Sequence, residues 1–216
     1  MHNALGALSP LDGRYSSSVK ELNAYFSEAA LMRYRVYVEV EYLIALGREK
    51  KIHELPALSN RQKNRLRSSY QKFDLNSAQI VKNIEAETNH DVKAIEYYIQ
   101  KHCGAKLHPW IHFALTSEDI NNISYTLMWC HAMKQVYVPM LTKLQRDLKA
   151  MAKRYRSVPM LSMTHGQPAT PTTFGKELGV LFKRIDRQMV QIKKQSFLGK
   201  LSGATGTWSA HTSAYP

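Results

Sequence analysis

Residues 173–196 read TFGKELGVLFKRIDRQMVQIKKQS, and their pattern decides the architecture. Phe174, Leu178, Leu181, Ile185, Met189 and Ile192 recur at steps of three and four, which lines six apolar side chains along one stripe of a helix. A surface helix of a globular protein has such a stripe. So does the seam of a helical bundle. The length of this segment favours the bundle.

The same period extends upstream. Leu141, Leu144, Leu148 and Met151 repeat it to about Tyr155, and before them Ile120, Ile123, Leu127, Cys130 and Met133 follow Ser117, a good N-cap. Pro139 lies between these runs and is expected to kink or break the helix. In the first half, Ser27 can cap a helix to about Arg48 whose apolar face is Leu31, Tyr34, Val38, Tyr42 and Ala45. Ser59 and Gln62 fit a capping box for a helix to about Phe73. A short helix follows through Ile80, Val81 and Ile84, and Asp91 can cap another through Val92, Ile95, Tyr98 and Ile99. The expected fold is all-α: an N-terminal helical domain over 1–108, then the first part of a long-helix bundle over 109–216. Gly104 and Pro109 place the boundary. Residues 199–216, with Gly199, Gly203 and Gly206, are expected to form turns or a hairpin.

Composition narrows the function classes. Hydrophobic residues are 44% of the 216, which fits a packed protein and argues against disorder. The formal charge is +13, so anionic partners are favoured. A nucleic acid is one reading, with the basic stretch Arg61, Lys63, Arg65, Arg67 and Lys72 as its best support. That stretch lacks interleaved aromatics, and a solvated helix face explains it as well. A small polyanionic substrate is another reading, and a more acidic remainder outside these residues is a third. Cys103 and Cys130 have no metal-ligand spacing and fit a reducing compartment. Residues 1–15 lack the pattern of a signal peptide, and no apolar run approaches the ~20 residues of a membrane span. A soluble, cytoplasmic protein is expected. His108 and His112 are four apart, but Pro109 disturbs a helix there and no carboxylate or thiol completes a metal site. The methionines at 133, 140 and 151 suit a core rather than a cofactor.

Chemistry concentrates in four segments. Residues 162–171 set His165 among Gly166, Pro168 and Pro171, a stiffened turn that could aim an imidazole. A histidine capping the following helix fits those ten residues equally well. Asn89-His90-Asp91 and Thr116-Ser117 each stand before a helix, where they could bind an anion or simply cap. Glu118 and Asp119 would repel an anion there, so they are expected to point away or to pair with a base. Arg14-Tyr15 offers a guanidinium fork suited to phosphate, or is a surface pair in an N-terminal turn.

Together and in this order, Asp12-Gly13-Arg14-Tyr15, 88–97, 116–122 and 164–171 resemble the bacterial adenylosuccinate lyases of the fumarase/aspartase superfamily. The resemblance runs over nearly the whole chain. It implies a β-elimination that releases fumarate from adenylosuccinate or from its carboxamide analogue, SAICAR. It also implies a homotetramer with sites shared between subunits, and no metal or organic cofactor. By resemblance, His165 is the acid and His90 a catalytic, orienting histidine. Arg14 and Tyr15 contact the phosphate, and Thr116 and Ser117 hold the succinyl part. Asn89, Asp91, Thr164 and Gln167 complete the substrate-binding set. An acid must start as imidazolium, a form that a nearby carboxylate favours; the glutamate expected for that lies beyond Pro216. The family's Ser-Ser-x-Met-Pro-x-Lys-x-Asn loop, which carries the base, does not occur here, so residues 1–216 are expected to be a truncated front portion, inactive alone. Argininosuccinate is the rival substrate within the superfamily; Arg14-Tyr15 and Asn89-His90-Asp91 favour the nucleotide.

Overall fold

The computed structural model describes residues 4–55 and 57–216, which are mostly helical. After 3-10 turns at Ala4–Gly6 and Lys20–Leu22 come helices α1 (Asn23–Phe26), α2 (Glu28–Leu46), α3 (Asn60–Gln71), α4 (Leu75–Thr88) and α5 (Asp91–Gln100). A 3-10 stretch, Ala105–Trp110, leads to α6 (Ser117–Ala132), a π-turn (Met133–Tyr137) and α7 (Val138–Arg154). Strands β1 (Pro159–Thr164) and β2 (Gln167–Thr173) pair antiparallel, and α8 (Phe174–Lys194) and α9 (Ser209–Ala214) complete the order. The hairpin is the one departure from the all-α expectation among the described residues. None of the described helices is long and apolar enough to cross a membrane.

Two compact units form, one from the described residues up to Cys130 with Leu198–Pro216, the other from His131–Phe197. The break read from Gly104 and Pro109 lies inside the first unit. Leu107 and Ile111, on its two sides, share a core with Val36 and Ile95.

Local rules set most helix starts in the first unit. Ser27 Oγ accepts from the Ala30 N–H at 3.1 Å, and both halves of the Ser59–Gln62 capping box are present. The face expected on α2 was too narrow. Met32, Val36, Val40, Leu43 and Ile44 enter the core, Tyr34 and Val38 are buried as well, and Ala45 is exposed. A helix wrapped by protein on most sides has no single apolar stripe to read. Glu41 joins α2 to α3 through both oxygens to Arg67 (2.8 and 2.8 Å) and one to the Tyr70 hydroxyl (2.9 Å). The Arg67 bonds hold Glu41 below the usual carboxylate range.

The tail follows expectation through its turns before residue 209 and departs from it after them. Residues 209–214 form a helix and not a hairpin. Tertiary anchors supply what local propensity lacks: the Tyr215 hydroxyl donates to Glu54 at 2.8 Å, and its ring lies 6.2 Å from that of Phe113.

In the second unit, Pro139 neither breaks nor ends the helical run. The Val138 N–H reaches back five residues to the Met133 carbonyl, so the ladder widens one residue before the proline. Helices α7 and α8 pack together around Leu148 and Met189. Of the expected seam, Leu178, Ile185 and Ile192 are half-buried, whereas Phe174 and Leu181 are exposed. Gly175 sits where α8 meets the end of α7, too close for any side chain.

Candidate active site

The four segments fold into distinct local settings. Arg14 and Tyr15 are exposed in a run of turns; the Tyr15 N–H donates to the Pro10 carbonyl, and the guanidinium lies 5.7 Å from the Tyr15 ring centroid. Asn89 ends α4 at φ 50°, a left-handed position that asparagine tolerates well. Asp91 is not the cap of α5, as expected from sequence. The His90 ring is: its Nδ1 accepts from the Lys93 N–H at 3.1 Å, which leaves the ring proton on Nε2.

Asp91 instead bridges its own helix start and α2 while remaining exposed. One oxygen takes its own helix's Val92 N–H (2.8 Å) and the other takes Arg35 (2.6 Å). Burial would raise this carboxyl, but the Arg35 charge and the Val92 N–H hold it below the usual range. Arg35 is 7% exposed, and its Nε also donates to Asn121 at 2.9 Å. One guanidinium thus ties the Asn89-His90-Asp91 segment to the Thr116–Asn122 segment.

Helix α6 starts at Ser117, so Ser117 is its first residue and not its cap. Among the described residues, neither the Thr116 nor the Ser117 hydroxyl has a hydrogen-bond partner. Glu118 is exposed. Asp119 meets the expectation of pairing. Its buried carboxylate takes the Thr116 N–H at 3.0 Å, Lys200 Nζ at 2.9 Å, the Ser202 N–H at 3.1 Å and the Gly203 N–H at 3.2 Å. Burial alone would push Asp119 up; these donors bring it below the ordinary carboxylate value.

The turn ahead of Thr116 is strained. His112 and Ala114 sit at φ 60° and 58°, each costing about 1–2 kcal/mol for a residue with a Cβ. Glu39, 1% exposed, takes both the His112 N–H (3.2 Å) and the His112 Nδ1. Burial raises Glu39. It also works against a charged His112, yet the Glu39 bond carries His112 above its ordinary value. Tyr42 donates to the Phe113 carbonyl at 2.9 Å and meets His211 Nε2 at 3.0 Å; burial pushes its hydroxyl up to about 12. Sequence reading missed Arg35, Glu39 and Lys200, and weighed His112 only as a metal ligand. The available signal was charge inside an apolar run, Arg35 and Glu39 among Tyr34, Val36, Val38 and Val40.

His165 lies in the second unit, at the tip of the β1–β2 hairpin. Thr164 pairs with Gln167, and His165 and Gly166 take φ 48° and 74°, positive at both positions as in the tight hairpin turns that suit strand twist. His165 caps nothing; Thr173 caps α8. Thr164, His165 and Gln167 are all exposed. Between Leu161–Pro171 and Met163–Pro168 the register slips by one residue on β2, so the prolines flank a bulge.

The second unit by itself offers an exposed imidazole on a stiff turn. The first unit by itself offers two unengaged hydroxyls at a helix start, and a second imidazole with its N–H directed away from its cap. Such groups serve proton transfer and anion binding. Known proteins share the chain's pattern. An adenylosuccinate lyase from Buchnera aphidicola subsp. Schizaphis graminum is 44% identical over 99% of this chain and 48% of its own length. That of Escherichia coli (strain K12) is 43% identical over the same shares. The chain thus spans about half the length of these relatives. Among solved structures, a fumarate lyase from Mesorhizobium sp. BNC1 superposes with a TM-score of 0.71 at 21% identity, over 88% of this chain and 44% of that one. A 3-carboxy-cis,cis-muconate lactonizing enzyme from Pseudomonas putida gives 0.70 at 19%, over 90% and 44%, and these two show the fold alone. A family model described as lyase matches residues 13–216, nearly the entire chain, and the chain belongs to that lyase family.

Proposed function

We propose that this chain supplies the amino-terminal part of an adenylosuccinate lyase. The enzyme eliminates fumarate from adenylosuccinate, leaving AMP, and from SAICAR, leaving AICAR. The observation that carries this reading is the 43–44% identity to relatives of that name across 99% of the chain. The roles follow from the chemistry. β-Elimination needs a base at the carbon next to a carboxylate, stabilisation of the carbanion-like state, and an acid at the departing nitrogen. His165 is the acid, carried on a turn that restricts its backbone. His90 orients the substrate through Nε2–H, with Asn89 beside it. Thr116 and Ser117 bind the succinyl carboxylate, Arg14 and Tyr15 the phosphate, and Thr164 and Gln167 flank the leaving nitrogen. Asp91 acts through Arg35. The base comes from outside these residues. The apolar side chains left exposed on α7 and α8, such as Met140, Leu144 and Val190, suit burial between subunits of a homotetramer. The enzyme works in the cytoplasm.

The test is His165→Ala in the whole protein, assayed by fumarate release. Turnover is expected to fall about 10²- to 10⁴-fold with substrate affinity little changed. Weaker affinity at unchanged turnover rejects the acid role. Argininosuccinate assayed beside adenylosuccinate decides the substrate. Residues 1–216 by themselves are expected to release no fumarate. The nucleic-acid reading has less behind it, because Arg67 on the basic helix α3 is already engaged by Glu41.

A further inference from the structure

Helix α2 is buried on most of its circumference, yet Arg35, Glu39 and Tyr42 follow one another on it at steps of four and three. Polar groups in such a place are costly unless paired. All three are paired, and apart from His211, which meets Tyr42, each partner lies in or beside a candidate segment. Arg35 holds Asp91 and Asn121. Glu39 holds the N–H and the ring of His112, and Tyr42 holds the carbonyl of the next residue, Phe113. The turn they grip contains the left-handed His112 and Ala114, and it ends at Thr116, whose N–H is taken by Asp119 from the other side. Left-handed residues with side chains persist where their surroundings over-determine them, and such strain gathers at functional sites. Stability alone does not ask for a carboxylate here, since apolar residues commonly replace buried ion pairs at no loss.

We propose that Glu39, assisted by Tyr42, is a positioning residue: it locks the 112–115 turn in its left-handed form and so fixes the Thr116 and Ser117 hydroxyls where a substrate carboxylate binds. The identity of that carboxylate, the succinyl group, rests on the lyase reading; the locking of the turn does not. Glu39 touches no reacting atom in this scheme and acts through the turn.

The experiment is Glu39→Gln in the whole protein, which keeps the shape and one acceptor but removes the charge. KM, kcat and product inhibition by fumarate and by AMP are measured. KM and the fumarate inhibition constant are expected to rise about tenfold, the scale of one hydrogen bond to a charged group, with kcat changed less. The AMP constant is expected to stay put, because its phosphate is assigned to Arg14 and Tyr15. Equal weakening of fumarate and AMP, or no weakening of either, overturns the inference. Tyr42→Phe removes the bond to Phe113 together with the contact to His211, is expected to give the same pattern at smaller amplitude, and carries the test should Glu39→Gln not fold. Amide hydrogen exchange over 112–119 reads the turn without substrate. Faster exchange there, with α3 unchanged, is expected; unchanged exchange over 112–119 overturns the inference whatever the kinetics. Faster exchange in a protein without lyase activity rejects the substrate reading and leaves the turn assignment standing.

Discussion

A Cβ placed on Gly175 would lie 2.4 Å from the carbonyl oxygen of Ala152 and 2.6 Å from the backbone of Arg156. Neither can yield without moving the end of α7. Gly175→Ala is therefore expected to cost about 1–3 kcal/mol, read as a lower midpoint in urea or heat for the second unit. Gly179, one helical turn later, has open space around it. Gly179→Ala is expected to stabilise by about 0.5–1 kcal/mol in the same measurement. Asp119 makes a pH prediction. Its folded-state value is depressed, so its contribution is present above the unfolded carboxylate value, about 3.9, and is lost as pH falls through the lower folded value. Asp119→Asn is expected to lower stability at neutral pH, and the gap to the parent should close below about pH 4. A gap independent of pH would refute the assignment. At this scale sequence left Asp119 either pointing away or pairing with a base, and could not show that Lys200, eighty-one residues away, is that base. Partners so distant leave no local trace.

Helix α5 poses the question of whether His90 is a cap or a chemical group. The two roles separate by substitution. Asparagine caps helices as well as any residue, whereas alanine in place of a good cap costs about 1 kcal/mol. His90→Asn is expected to melt like the parent yet lose turnover, and His90→Ala to lose both; full activity in His90→Asn would reduce His90 to a cap. The helix starts at Ser27, Ser59 and Thr173 follow rules confined to a few residues, and all three were legible, those at Ser27 and Ser59 with their caps. The hairpin was not. Prolines at 168 and 171 read as loop, and their place beside a bulge depends on pairing with β1. His165-Gly166 stands where Asn-Gly commonly does, a weaker form of the same turn signal. The working face of α2 was hidden for a different reason, because a helix surrounded by protein offers no periodicity to separate its polar contacts from its core.

Charge is unevenly shared across the molecule. Residues 131–197 hold thirteen Lys and Arg against three Asp and Glu, a surplus of ten out of the total +13. Self-repulsion of that size destabilises a small unit and is screened by salt. Raising ionic strength from about 0.01 M to about 0.15 M is expected to slow amide exchange in α7 and α8 more than in α2 and α5. Equal slowing in all four would show that the surplus has no energetic effect. The sequence-wide charge was legible at once, but its location needed the division into units. The hairpin carries a last consequence. Both its strands are largely exposed, and each has one side without a neighbour. On β2, two residues lack the N–H that an incoming chain would need. On β1, Met160, Leu161 and Met163 follow one another with their donors intact and their side chains in water. Fibril growth from a bare copy of this chain would begin along that margin, and a lysine at 161 would be the simplest way to block it.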